Sequence, residues 1–113
     1  MAEACCGAIA AGEDLLRPGR MAREVDAAVR GYLASMKLDS YFTSHSGHGL
    51  GLGHPEPPFL VPESDETLVV GDVVALEPSI RAPDLGLMRF ERNYLITEHG
   101  HELLSRHRFT LTP

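Results

Sequence analysis

Apolar residues recur at helical spacing only in the first third of the chain. Residues 1–16 are rich in alanine and strong helix formers and predict a first helix. Arg17-Pro18-Gly19 ends it, because proline disfavours helix in the residue before it and glycine accepts a positive φ. A second helix is predicted over residues 21–36, where Val25, Ala28, Val29, Tyr32 and Leu33 form one apolar stripe. Glu24, Asp26 and Arg30 lie mostly off that stripe and read as a solvated face. After Lys37 the texture changes. Between Ser44 and Pro58 stand four glycines, three histidines and three prolines, a stretch that cannot be helical throughout. Residues 59–61, 67–70, 73–80 and 87–97 then read as strands. Gly71-Asp72 looks like a hairpin-type turn between two β-branched runs, and His99-Gly100 like another turn. Two helices followed by an antiparallel sheet make an α+β layout.

Length bounds what this pattern can build. With 113 residues the expectation is one small domain over 1–113, about 1–37 helical and 38–113 mostly sheet and loops. A net charge of −6 argues against a nucleic-acid or anionic-membrane surface as partner. No apolar run approaches the ~20 residues of a membrane span. The small-residue run at Ala8 is too short for a signal peptide and meets Gly12, Glu13 and Asp14 at once. The two cysteines, Cys5 and Cys6, are adjacent. They offer neither a staple nor a CxxC metal spacing, which points to a reducing, cytoplasmic setting.

Six histidines are many for this length, and three segments carry candidate chemistry. In Gly47-His48-Gly49-Leu50-Gly51-Leu52-Gly53-His54-Pro55 the glycines beside His48 remove side chains that would block a ligand or another backbone. In Val73-Val74-Ala75-Leu76-Glu77-Pro78 an apolar strand presents a carboxylate, on the same face as Val73 and Ala75. Glu91 again sits within a strand-like run. Taken alone, Glu77 is more simply paired with Arg89 or Arg92, His48 more simply satisfies backbone groups, and His54 is an exposed loop histidine. Taken together, one histidine and two glutamates on separate strand-like segments form a nitrogen and oxygen ligand set suited to a divalent ion such as Mn, Co, Fe or Zn.

Arg17-Pro18-Gly19, Glu24-Val25-Asp26-Ala27-Ala28, Gly47-His48-Gly49-Leu50-Gly51-Leu52, Leu76-Glu77-Pro78 and Phe90-Glu91 leading into Leu95-Ile96-Thr97-Glu98-His99-Gly100 follow one another in an order that resembles the pita-bread metallopeptidases. That family includes methionine aminopeptidase, Xaa-Pro peptidases and creatinase. The resemblance runs from about Gly7 to Ser105. It implies a partial pita-bread fold, two N-terminal helices packed on a curved antiparallel sheet. It implies a centre of normally two divalent ions held by two Asp, one His and two Glu. Matched residue by residue, His48 corresponds to the metal-binding histidine, Glu77 to a ligand that also shuttles protons, and Glu91 to the ligand that bridges the ions. The activity implied is metal-assisted hydrolysis of a peptide with a free N-terminus.

The sequence departs from the family's pattern in three places. The Asp pair lies on family strands upstream of the helix with which this chain begins, and Asp14, Asp26 and Asp39 are not its counterparts. The site is therefore incomplete, with three ligands of five, and Ala2-Glu3-Ala4-Cys5-Cys6 resembles the middle of a family helix, so a truncated chain is expected. Peptidase members carry a substrate-holding histidine seven residues beyond the ligand. Here that position is Pro55, and His54 stands one step short, where strand alternation sends it to the other face unless the loop from Gly53 to Pro55 re-aims it. Members also carry a histidine four residues before the ligand. Here that place is Ser44, with His45 following. The reading is a metal-dependent aminopeptidase or Xaa-Pro peptidase-like hydrolase, incomplete and inactive as the isolated chain. In it His48, Glu77 and Glu91 hold metal, Glu77 and His54 act in catalysis, and His54 and His45 hold substrate. The alternative is a non-catalytic pita-bread module that binds a peptide or partner protein. Sheet edges left without strands would invite a homodimer or a complementing chain.

Overall fold

The computed structural model describes residues 1–42 and 45–110. Helix α1 spans Ala2–Glu13 and helix α2 spans Ala22–Ser35. The first helix ends three residues earlier than the alanine-rich run suggests. The amides of Leu15 and Leu16 bond back to the carbonyls of Gly12 and Glu13, which tightens the last turn into the Pro18-Gly19 corner. At the start of α2 the Glu24 carboxylate accepts the Met21 amide at 3.0 Å and the Arg20 guanidinium at 2.9 Å. These two bonds, the backbone one first, hold its carboxyl below the ordinary range.

Among the described residues seven strands follow: β1 Gly47–Gly49, β2 Glu56–Leu60, β3 Val73–Leu76, β4 Ser79–Ala82, β5 Gly86–Arg89, β6 Arg92–Thr97 and β7 Gly100–Leu103. Every pairing is antiparallel, in one sheet of order β2-β1-β3-β6-β7 and a second of order β4-β5. The expected strands 73–80 and 87–97 are each broken in two, and the halves belong to different sheets. One break falls at Glu77-Pro78, where proline has no amide to give the ladder, and the other at Phe90-Glu91. Leu76 lies opposite Arg92 and Ser79 opposite Arg89, so the register is the same on both sides and Glu77 falls opposite Glu91 at the corner.

Three other expectations are corrected. Residues 67–70 are not a strand: Thr67 makes an isolated bridge to Met21, and the Leu68 backbone bonds to Gly19 and Arg20 of the interhelical loop. Gly71-Asp72 therefore does not join two strands of a hairpin. It is a turn into β3, closed by bonds between Val69 and the Asp72 backbone and side chain. Strand β2 begins before residue 59 and takes in Pro57 and Pro58, which an edge strand tolerates. The glycine-rich β1 was expected only as a strand-like segment around His48, without bounds.

Ile9, Leu16, Val25, Leu76, Tyr94 and Ile96 are among the residues of a core between the helices and the larger sheet. A second cluster, with Cys5, Ala8, Val29, Leu33 and Ile80, sits under the β4-β5 pair. Val74 and Leu76 face the helices, so alternation turns Ala75 and Glu77 to the opposite face, away from the core. Asp26 is not on a solvated face. It is 1% exposed, held between Arg30 and Ser46 at 2.7 Å from each. Among the described residues no helix is long and apolar enough to cross a membrane.

Candidate metal centre

Strand β1 places His48. It runs between β2 and β3, with Gly47 opposite Leu60 and Leu76. A Cβ on Gly47 would fall on the Ala75 carbonyl of β3, and one on Gly49 would fall on the Pro57 carbonyl of β2. Both neighbouring backbones press against this strand, so only glycine fits on either side of the histidine. His48 pairs with Ala75 in register and so shares the face to which Glu77 points.

Here His48, Glu77 and Glu91 meet, with one ligand atom from each within 4.8 Å of the others. His48 Nε2 is 3.1 Å from Glu77 Oε1. Two donors bound to one ion at roughly 2.1 Å each stand about 3 Å apart, so this spacing fits a shared cation. His48 Nδ1 is 2.8 Å from the Gly49 carbonyl. The pairing assigns the proton to Nδ1 and leaves Nε2 free to ligate, the arrangement a metal-binding histidine adopts. Glu91 brings a second carboxylate against Glu77. A hydrogen bond shared with Glu77, then burial, then the Glu77 charge push its carboxyl above the ordinary value, and His48 and Arg89 only partly offset this. Two carboxylates this close share a proton when nothing positive lies between them, and a divalent cation is what would replace that proton. The donor set and its spacing thus fit a metal ion.

The two further histidines of the sequence reading lie beside this group. His45 Nε2 is 3.8 Å from Glu77 Oε1, and its ring meets that of His48 edge-on at 5.8 Å. Burial, then the neighbouring His48, pull its pKa down. His45 also lines a cavity of about 550 Å³ with Pro57, Phe59, Val61 and Glu66, an apolar recess one side chain away from Glu77. His54 is exposed, yet its ring stands 5.0 Å from that of His48. Residues 51–55 are a series of bends, and Gly53 N–H donates to Glu56 Oε2 at 2.9 Å, which folds the loop back over β1. The loop re-aims the histidine.

Arg89 and Arg92, the simpler partners for Glu77, do not take that role. The nitrogens that approach its carboxylate are those of His48 and, more distantly, His45, while Arg92 lies over the Phe109 ring at 4.1 Å. Asp14 caps α1, Asp26 is buried on α2 and Asp39 begins a short 3-10 helix; none joins the cluster. Ser44 lies outside the described residues. Ser46 is the contact that sequence reasoning missed: it is fully buried, and its carbonyl accepts the Glu77 amide at 2.8 Å. No motif marks it, since its role rests on a backbone carbonyl.

Residues 1–98 match metallopeptidase family M24. Over 90 residues the chain is 37% identical to the uncharacterized peptidase YqhT of Bacillus subtilis (strain 168), covering 80% of this chain and 26% of that protein. It is 40% identical over 87 residues to the probable dipeptidase PepE of Mycobacterium tuberculosis (strain ATCC 25618 / H37Rv), covering 77% of this chain and 23% of that one. Among solved structures, dipeptidase PepE from Mycobacterium ulcerans superposes with a TM-score of 0.92 at 35% identity, over 97% of this chain and 30% of that one. The prolidase from Pyrococcus furiosus gives 0.89 at 32% identity, over 94% and 32%. The chain spans about a quarter of the length of these curated relatives.

Proposed function

The chain belongs to metallopeptidase family M24, and from that premise we propose that it carries the His48, Glu77 and Glu91 part of a divalent-metal centre for hydrolysing dipeptides, the Xaa-Pro type among them. The observation that carries this reading is the 3.1 Å approach of His48 Nε2 to Glu77 Oε1, with Glu91 completing the group. When bound, a divalent ion such as Mn, Co, Zn or Fe supplies Lewis acidity for the scissile carbonyl and for an attacking water. Glu77 holds and passes the proton, since its carboxylate reaches both His48 and, more distantly, His45. His54, exposed at the mouth, and His45, on the apolar recess, hold the peptide by its polar backbone groups.

Among the described residues this group offers three side chains, fewer than the coordination of two ions requires, so further ligands would have to join them. On this reading the 113-residue chain binds metal but does not turn over peptide by itself. Catalysis requires a complementing segment or chain. The setting is cytoplasmic, where Cys5 and Cys6 remain free thiols.

The test is a cobalt(II) titration of the 113-residue protein followed by its visible absorption, with a Xaa-Pro dipeptide hydrolysis assay alongside. We expect saturable binding, lost in His48→Ala, and no hydrolysis. Absence of cobalt binding in the unmodified chain would overturn the metal reading. Metal-dependent hydrolysis by the chain alone, abolished in His48→Ala, would overturn the inactivity. Peptide binding that is indifferent to metal would favour the non-catalytic module.

A further inference from the structure

We propose that Asp26 is a positioning residue for the metal centre, acting through Ser46 on the backbone that carries His48 and Glu77. The inference rests on the reading of His48, Glu77 and Glu91 as ligands. Asp26 is 1% exposed and Ser46 is fully buried. Ser46 Oγ donates to Asp26 Oδ1 at 2.7 Å, and Arg30 Nε donates to Asp26 Oδ2 at 2.7 Å. Helix α2 therefore fixes Ser46 by its side chain. Ser46 is also held by its backbone: its N–H donates to the Leu60 carbonyl at 3.0 Å, and its carbonyl accepts the Glu77 N–H at 2.8 Å.

One residue thus ties a helix, the edge strand β2 and the strand break at Glu77 to a single point. That point lies next to His45 and two residues before His48. Glu77 has left the ladder of β3, and Pro78 after it has no amide to give, so the bond to the Ser46 carbonyl is what orients its backbone at the corner. A buried carboxylate is a poor choice for stability alone, because apolar side chains of similar size pack as well without partners. Its placement is explained by what it holds.

The experiment compares the unmodified chain with Asp26→Ala, Asp26→Asn, Ser46→Ala and the Asp26→Ala/Ser46→Ala double variant. Cobalt(II) affinity is measured at a temperature where each is folded by circular dichroism. Amide hydrogen exchange is followed at Glu77, with Leu50 and Ile96, bonded to Val73 and Asp72 in the same sheet, as references. We expect Asp26→Ala and Ser46→Ala each to weaken cobalt about tenfold, the scale on which supporting groups tune metal affinity. The double variant should be no weaker than either single one. Asp26→Asn keeps an oxygen for Ser46 and should recover most of the loss. Exchange at Glu77 should rise in Asp26→Ala while Leu50 and Ile96 stay protected. Unchanged cobalt affinity in Asp26→Ala, with Glu77 still protected, overturns the proposal. If the unmodified chain binds no cobalt, the ligand reading fails and exchange decides this one: a rise confined to Glu77 sustains the positioning role, and a uniform rise or none removes it.

Discussion

Replacing glycine by alanine should have opposite effects at two positions, and the contrast tests the packing that presents His48. At Gly47 the new methyl would fall on the Ala75 carbonyl oxygen, with Leu60 Cδ1 at 3.0 Å on another side. The leucine can rotate away; the carbonyl belongs to the β3 backbone and cannot move without opening the sheet. Overpacking of this kind costs about 1–3 kcal/mol, and a backbone obstacle puts it at the upper end. Alanine restricts the unfolded chain and returns about 0.5–1 kcal/mol. The net loss is about 2 kcal/mol, or about 10 °C in melting temperature for a domain this size. Gly31, exposed on α2, has nothing within 4 Å of an added Cβ. There only the backbone term operates, so Gly31→Ala should gain about 0.5–1 kcal/mol and raise the melting temperature by about 4 °C. Thermal and urea unfolding followed by circular dichroism would read both. A Gly47→Ala protein as stable as the unmodified chain, or a less stable Gly31→Ala, would refute the reasoning.

Further outcomes follow from the same geometry. The raised Glu91 carboxyl means that, above the ordinary carboxylate range, the metal-free folded chain holds more proton than the unfolded one, so its stability should fall as pH rises through the shifted value; urea midpoints against pH should show that fall, flattened in Glu91→Gln and flattened also by added Mn²⁺. Cys5 is buried, and burial, then Cys6, push its thiol up to about 11; a thiol reagent at pH 8 should therefore modify half-buried Cys6 first and Cys5 only on unfolding, as peptide mapping would reveal. Glu56→Ala removes the acceptor that holds Gly53 N–H at 2.9 Å and should cost about 1 kcal/mol or less; the proton–proton NOE between the His48 and His54 rings should vanish, and its persistence would mean that the loop needs no tether.

The helices and the grouping of His48, Glu77 and Glu91 were legible because each has a local signature. Val25, Val29 and Leu33 repeat at helical spacing, and all three are fully buried. Glu77 breaks an apolar run at a proline. The bounds and neighbours of the strand at Gly47 were not legible, since its glycines answer to the two backbones beside them and carry no apolar alternation. Residues 67–70 misled in the other direction. Val69 and Val70 have strand-forming side chains but are each 54% exposed, and the backbone beside them bonds to the interhelical loop, so tertiary pairing overrode propensity. Asp26 misled most. Its place off the apolar stripe predicted solvent, and only the loop that brings Ser46 against α2 encloses it.

His54 shows why counting along the chain fails at this site. Alternation applies only while a ladder fixes each residue, and the ladder between β1 and β2 slips at this point. His48 faces Phe59, but the next residue, Gly49, faces Glu56, so Pro57 and Pro58 are passed over. Two successive prolines offer no amide for an inter-strand bond, which makes them the natural place for the register to jump. Once it has jumped, the chain from Gly51 to Pro55 is steered by the Glu56 carboxylate, and a histidine one position short of the expected place still arrives 5.0 Å from His48. The displaced histidine is therefore no argument against a substrate-holding role. What governs where the His54 ring arrives is the tether and the slip, and both are properties of Glu56, Pro57 and Pro58.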